Sequence, residues 1–269
     1  MFIIAICFIF LLGISIGSFI SVIVDRIKKG EKGIFMGRSM CPKCRKKLGA
    51  AELIPIISYV LLRGKCRHCG KPISMHYPAL ELFSGLTFVT IFMNFPFIND
   101  IAGGGYTIYY PSLLKFGIYI VYAVFFIAIF FYDLLNSEIP DVFLFPLIGL
   151  TLIGSLILGT PGIFSMAIAL IIALIIFGGQ YLLSGGTWLG EGDVYFAVAM
   201  AFAFGWQLLL IAIFLTYIIG GIAALVLLTT KKVSKKSHIP FAPFLVLGTL
   251  LTIFFGERIL NWYLTSVTF

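Results

Sequence analysis

Residues 2–24 read FIIAICFIFLLGISIGSFISVIV, a run without one charged side chain. An α-helix rises about 1.5 Å per residue, so about 20 apolar residues cross the ~30 Å hydrocarbon core of a bilayer, and this run is long enough. It has neither the basic leader nor the small-residue cleavage site of a secretory signal, and it is expected to be an uncleaved first transmembrane helix. The remainder of the 269-residue chain has the same character: 61% of residues are hydrophobic, 11% are charged and the mean hydropathy is +1.10. Soluble domains and disordered chains do not have this balance. Strand-period alternation is absent, which excludes an outer-membrane barrel. The expected fold is an all-α polytopic membrane protein.

The formal charge of +8 first suggests nucleic acid or anionic lipid as a partner. Its distribution says otherwise. Thirteen of the 19 basic residues fall within residues 25–71, opposed there only by Asp25, Glu31 and Glu52, so this stretch carries +10 and the rest of the chain −2. Apolar runs at residues 2–24 and 79–95 flank it. By the positive-inside rule the loop is cytoplasmic and the amino terminus lies outside, and no nucleic-acid partner is expected. Further apolar runs at residues 111–132, 139–159, 163–183, 194–204, 207–230 and 239–255 bring the count to about eight spans. With eight, the cluster Lys231, Lys232, Lys235 and Lys236 also falls on the cytoplasmic side, and the segment 94–110, which has no Lys or Arg, falls outside. The expected organisation is a first helix (residues 1–24), a cytoplasmic loop domain (25–78) and a helical membrane domain (79–269).

Acids at membrane edges are costly and are usually retained for a role. Asp133 closes the third span, after Phe130-Phe131-Tyr132, and Asp193 opens the sixth, within Gly190-Glu191-Gly192-Asp193. Both come to the inner edge of the membrane. Asp141, after Ile139-Pro140 at the start of the fourth span, suits an ordinary helix end, where an acid complements the dipole. Asp133 does not, because a helix carboxyl end disfavours negative charge. Gly190 and Gly192 allow closer backbone approach than a simple cap requires. Two carboxylates brought close together share a proton, so that one acts as base on a water while the other polarises a carbonyl. Dipole direction favours ionised Asp193 and protonated Asp133.

Four of the five cysteines form Cys41-Pro-Lys-Cys44 and Cys66-Arg-His-Cys69. This spacing resembles a four-thiolate zinc site closing a small loop-rich module, with a pair of disulfides as the competing reading. A cytoplasmic loop is in a reducing compartment, which favours the metal. A closed four-thiolate site makes the metal structural, His68 is a bystander within the second knuckle, and Cys7 in the first span packs as a small hydrophobe.

Together these residues resemble the bacterial type IV prepilin peptidases. The likeness runs through Gly17-Ser18-Phe19, Arg38-Ser39 with the first knuckle, Glu52-Leu53-Ile54-Pro55, Arg63-Gly64-Lys65 with the second knuckle, and Ile73-Ser74, Tyr77-Pro78 and Glu81. It continues through Asp133, Ile139-Pro140-Asp141, Gly190-x-Gly192-Asp193-Val194 and residues 239–244. The resemblance implies an intramembrane-type aspartyl protease, similar to presenilin-like enzymes in its Tyr-Asp and Gly-x-Gly-Asp elements. It would cut the short basic leader of prepilins or pseudopilins after a glycine at the cytoplasmic face of the bacterial inner membrane. It would then methylate the new terminus with S-adenosylmethionine. Carried over, the catalytic pair falls on Asp133 and Asp193 and the thiolates on Cys41, Cys44, Cys66 and Cys69. The chain departs from the family at Tyr195, commonly Lys, and at Ala242, commonly Gly. The +10 loop would repel a basic leader, so anionic membrane lipid is the expected partner of that loop. The competing functional classes are a transporter using the acids as an ion path and a membrane anchor whose metal loop docks a partner; the first calls for acids at mid-membrane, and the second leaves Asp133 and Asp193 without a role.

Overall fold

The computed structural model describes residues 2–30, 39–101, 105–230 and 239–267. The lysine cluster at 231–236 and Arg38 lie outside these residues. Helices dominate, and six of them are long and apolar enough to cross a membrane: Phe2–Lys28, Tyr110–Asn136, Asp141–Leu158, Ile163–Ser184, Glu191–Thr229 and Ala242–Ser266. Their surfaces are inverted relative to a soluble protein. Phe164 is 87% and Leu183 85% exposed, while Ser84, Thr151, Thr216 and Thr249 are fully buried. The buried hydroxyls bond their own helix backbone, as Thr249 Oγ1 does to the Leu245 carbonyl at 2.7 Å, so they leave no unpaired group and let helices approach closely. This is a multi-pass membrane protein.

The chain forms two compact units, Met1–Phe131 and Tyr132–Phe269. In the first, α1 (Phe2–Lys28) packs on α3 (His76–Asn94). The approach is close because Gly13 and Gly17 of α1 have no side chains; a Cβ at Gly13 would lie 2.8 Å from Gly85 Cα, and one at Gly17 2.9 Å from Glu81 Cα. After α3 come two short antiparallel strands, β1 (Ile98–Ile101) and β2 (Gly105–Ile108), with Ile98 opposite Ile108. Four-residue strands are too short to show an alternation, and sequence reading leaves this segment as loop. Helix α4 (Tyr110–Asn136) follows.

Between α1 and α3 sits the cysteine module, with one short helix, α2 (Ile57–Leu61). Its two knuckles are built alike. Cys41 N–H donates to Lys46 O and Arg45 N–H to Cys41 O; 25 residues on, Cys66 N–H donates to Lys71 O and Gly70 N–H to Cys66 O. The residue after each second cysteine is left-handed, Arg45 at φ 56 and Gly70 at φ 66. The module is fastened to α3 by the Ile56 N–H, which donates to Glu81 Oε2 at 2.7 Å, and the ends of α1 and α3 are joined by Tyr77 Oη donating to the Asp25 carboxylate.

The second unit contains the last turn of α4, then α5 (Asp141–Leu158), α6 (Ile163–Ala173) running through a π-turn into α7 (Gly179–Ser184), α8 (Glu191–Thr229) and α9 (Ala242–Val267). Helix α8 is two limbs. Val194 lies 4.0 Å from the Cβ position of Gly178, and the Tyr217 ring stacks on adjacent Phe177 at 6.4 Å. In one straight helix residues 194 and 217 would be about 35 Å apart, so the chain folds back between them. It does so at Gly205, whose φ of 67° and ψ of −178° belong to a region open essentially to glycine alone. The limbs correspond to the sixth and seventh apolar runs of the sequence. The first limb, residues 191–204, measures about 21 Å and is shorter than the ~30 Å hydrocarbon core.

A Cβ at Gly205 would also fall 2.3 Å from Ser165 Oγ and 2.7 Å from Pro161 Cβ. Gly205→Ala is therefore expected to destabilise the protein by about 3 kcal/mol or more through backbone strain and overpacking. Gly221→Ala, at a helical position with nothing within 4 Å of its Cβ, is the matched control and should change stability little. Denaturation of the two variants in the same detergent measures the difference.

Candidate active site

Asp133 and Asp193 line the same cavity of the second unit, about 560 Å³ in volume. Asp133 stands one turn from the end of α4. The helix stops at left-handed Ser137, φ 58°, whose N–H returns to the Asp133 carbonyl at 2.7 Å. The Asp133 side chain is 4% exposed. The backbone N–H of Ala242, at the start of α9, donates to this carboxylate, whereas Oδ2 is buried with no hydrogen-bond partner. A buried carboxylate oxygen normally has a donor, and this one has none among the described residues.

Asp193 occupies the first turn of α8 and is 8% exposed. Its Oδ2 accepts the Gly190 N–H at 3.0 Å, so the carboxylate folds back to cap its own helix, where the dipole favours negative charge. Gly190 and Gly192 have different work. Gly190 is extended, φ −76° and ψ 157°, and contributes its N–H. Gly192 is a close-approach glycine: a Cβ there would lie 3.0 Å from Ile139 Cβ, in the turn joining α4 to α5. Its missing side chain lets that turn press against α8.

Asp141 is the first residue of α5, exposed, as an acid at a helix start should be, and it also lines the cavity. Two lining acids escape sequence reading, Glu138 and Glu191. Each sits beside a residue that was singled out, but neither stands in an apolar run, which was the signal that flagged the others. The two family departures are accommodated. Tyr195 donates its hydroxyl to Glu191 Oε1 at 3.0 Å, and Ala242 meets Asp133 through its backbone N–H, a contact that Gly would make equally. Tyr217 and Gln180 also went unrecognised; they bond to each other at 2.7 Å, and the Tyr217 ring packs 5.8 Å from Phe241, beside Ala242.

In the first unit the four thiol sulfurs of Cys41, Cys44, Cys66 and Cys69 lie within 4.8 Å of one another. A tetrahedron of sulfurs at the ~2.3 Å zinc–sulfur distance has edges of about 3.8 Å, so the donor set fits a metal with small adjustment. The Cys44 N–H beside Cys41 brings its thiol down to about 7, toward the thiolate that binds metal. His68 stands outside the cluster; its backbone N–H donates to Cys66 Sγ at 3.4 Å and its ring lies 3.5 Å from Glu52. The Gly49 N–H, then His68 and Arg67, hold the Glu52 carboxyl below its ordinary range.

Fold and site define a class: a polytopic helical membrane protein with a buried aspartate pair at helix ends and a four-thiol cluster able to hold a metal. Residues 11–95 match the bacterial peptidase A24 N-terminal domain, and residues 120–225 match the type IV leader peptidase family. The chain belongs to the type IV leader peptidase family. It is 31% identical to the prepilin leader peptidase/N-methyltransferase of Legionella pneumophila over 89% of this chain and 80% of the relative. It is 30% identical to that of Neisseria gonorrhoeae over 94% and 93%, and 29% identical to that of Bacillus subtilis over 95% and 96%. No solved structure matches the chain.

Replacing all four cysteines by serine should abolish metal retention in purified protein, and replacing any one should loosen the module, read as faster proteolysis within residues 39–75. A full complement of metal in the quadruple variant would exclude the site.

Proposed function

We propose that this protein is a prepilin leader peptidase and N-methyltransferase in which Asp133 and Asp193 carry out peptide hydrolysis. The observation that carries this reading is the orphaned Oδ2 of Asp133 in a cavity shared with Asp193. An oxygen with no donor of its own suits a protonated carboxyl, whose O–H can donate to a scissile carbonyl. Asp193, held by the Gly190 N–H at a helix amino terminus, suits the ionised partner that takes a proton from the attacking water. As the water oxygen bonds to the carbonyl carbon, the Asp133 proton passes to the carbonyl oxygen; the C–N bond then breaks and the leaving amine takes up a proton. The two acids titrate as a pair.

The substrates are prepilins or pseudopilins, whose apolar helix would rest among the spans with the leader in the cytoplasm. By the positive-inside rule the basic loop, residues 25–78, would lie in the cytoplasm and the amino terminus outside the bacterial inner membrane. That loop is a structural module closed by zinc, whose positive surroundings offset the −2 charge of a tetrathiolate and face anionic lipid. Zinc would hold the two knuckles together and take no part in the hydrolysis. Methyl transfer from S-adenosylmethionine rests on the names of the relatives, and labelled S-adenosylmethionine with a pre-cut peptide tests it: no label on the terminal amine removes it.

Cleavage of a prepilin-like peptide in detergent or lipid tests the hydrolytic reading. Asp133→Asn and Asp193→Asn should each lower the rate by about 100-fold or more, on the scale of lost general acid–base catalysis, with Asp141→Asn retaining activity. Normal cutting by both Asp133→Asn and Asp193→Asn overturns the mechanism; loss in Asp141→Asn with normal cutting in Asp133→Asn reassigns the first aspartate.

A further inference from the structure

The cysteine module carries an apolar surface that its own fold does not use. Leu53, Ile54, Ile57, Val60 and Leu61 are exposed, Val60 by 65% and Leu61 by 76%, while burial within the module goes to Cys41 and Cys66. Ile57, Val60 and Leu61 stand at i, i+3 and i+4 of α2 and so share one face of it. The same module has eight exposed Lys and Arg between residues 43 and 71, with Glu52 the one acid within residues 39–75. Among the described residues none of the eight is in an ion pair.

Backbone strain marks where this surface begins. Ile56, just before α2, has φ 61° and ψ −52°, a costly conformation for a β-branched residue, and the Ile57 N–H closes a three-residue turn on the Pro55 carbonyl. Such strain persists only where surrounding contacts fix it, and here the Ile56 N–H donates to Glu81 Oε2 at 2.7 Å. The packing of α1 on α3 gives the depth of that anchor. A Cβ at Gly17 would lie 2.9 Å from Glu81 Cα, so Glu81 is level with Gly17. Gly17 precedes the end of the uncharged run at Val24 by seven residues, about 10 Å along the helix. The turn that opens α2 is therefore tied to a residue well within the apolar stretch of the first span, not beyond its charged end.

Apolar side chains near that depth meet acyl chains, and Lys or Arg beside them meet anionic headgroups; amphipathic segments lie in a bilayer interface in this way, with the apolar face about 5–10 Å into the headgroup boundary. We infer that residues 53–61 form a membrane-inserted wedge, with Ile57, Val60 and Leu61 among the acyl chains of the leaflet in which α1 ends and the Lys and Arg of the module on its anionic headgroups. This deepens the lipid-facing reading of the basic loop and rests on it, but not on the peptidase reading. Charge alone would leave the module on the surface; the wedge fixes its height against α1 and α3.

The test uses the full chain in vesicles of phosphatidylglycerol and phosphatidylethanolamine. Leu61→Trp, at an exposed position, adds a fluorescence signal to the background of Trp188, Trp206 and Trp262. The added emission should be blue-shifted, quenched by lipid brominated in its acyl chains and shielded from aqueous iodide. Val60→Glu with Leu61→Glu should free the module, read as faster proteolysis within residues 39–75 with its metal retained. Quenching by iodide and not by brominated lipid overturns the wedge, and proteolysis of the wild type then separates the two readings. Slower cutting in these vesicles than in neutral phosphatidylcholine leaves the module on the headgroups by charge alone, whereas equal cutting removes the lipid-facing reading as well. A blue-shifted signal that neither quencher reaches shows protein over this face, such as a second copy of the chain, and overturns lipid as its occupant. Should Leu61→Trp disturb the module, Val60→Trp carries the same comparison.

Discussion

A carboxylate inside an apolar helix bundle is stable only where the protein supplies donors or where a ligand is meant to supply them, and this constraint organises the second unit. Asp193 meets it locally, by curling onto the Gly190 N–H in its own first turn. Asp133 meets it half-way: the Ala242 N–H from α9 serves the carboxylate, and the other oxygen stays unserved. The last turn of α4 and the start of α9 must therefore meet, and the α4–α5 turn must lie against α8. Gly192 eases the second condition, because a Cβ there would crowd Ile139 Cβ at 3.0 Å.

The fold-back at Gly205 supplies the rest of that geometry. A single 39-residue helix would carry Tyr217 far from Asp193; two limbs bring Val194 and Tyr217 to neighbouring residues of the π-turn region. Small and hydroxylated residues make the tight packing possible. Gly248 of α9 stands against Ala212 and Thr216 in the second limb, at distances that leave no room for a Cβ. Where lipid surrounds the bundle, such close helix contact replaces the hydrophobic drive that packs soluble proteins. Substitutions at these positions act on stability, and through the helix ends they act on the aspartates.

The cysteine module follows a different physics. It has almost no apolar core; of its residues Cys41 and Cys66 are buried, and two equivalent hydrogen-bond patterns around them shape the knuckles. Its four converging thiols are a donor set that a metal could close in place of an apolar core. Glu81 on α3 ties it to the membrane helices through the Ile56 N–H, and Tyr77 joins the ends of α3 and α1 through Asp25, so the family elements near the start of α3 have a structural account.

Long uncharged runs can only be helices in lipid, since every backbone group must be satisfied within the segment, and so the sequence by itself determined the helical membrane fold and the grouping of the cysteines into knuckles, while of the eight expected spans six helices are long and apolar enough to cross among the described residues. It also singled out Asp133 and Asp193, because isolated charges stand out against an apolar background. It did not reveal Glu138 and Glu191, which look like ordinary loop acids, nor the pairing of Tyr217 with Gln180, nor the two four-residue strands. These depend on contacts between segments far apart in the chain. Only the tertiary structure decided which residues share the cavity, that Gly192 is needed for space and Gly190 for its N–H, and that Asp133 keeps an unserved oxygen. Burial and hydrogen bonding at a site are properties of several helix ends meeting at once, and no single stretch of sequence contains them.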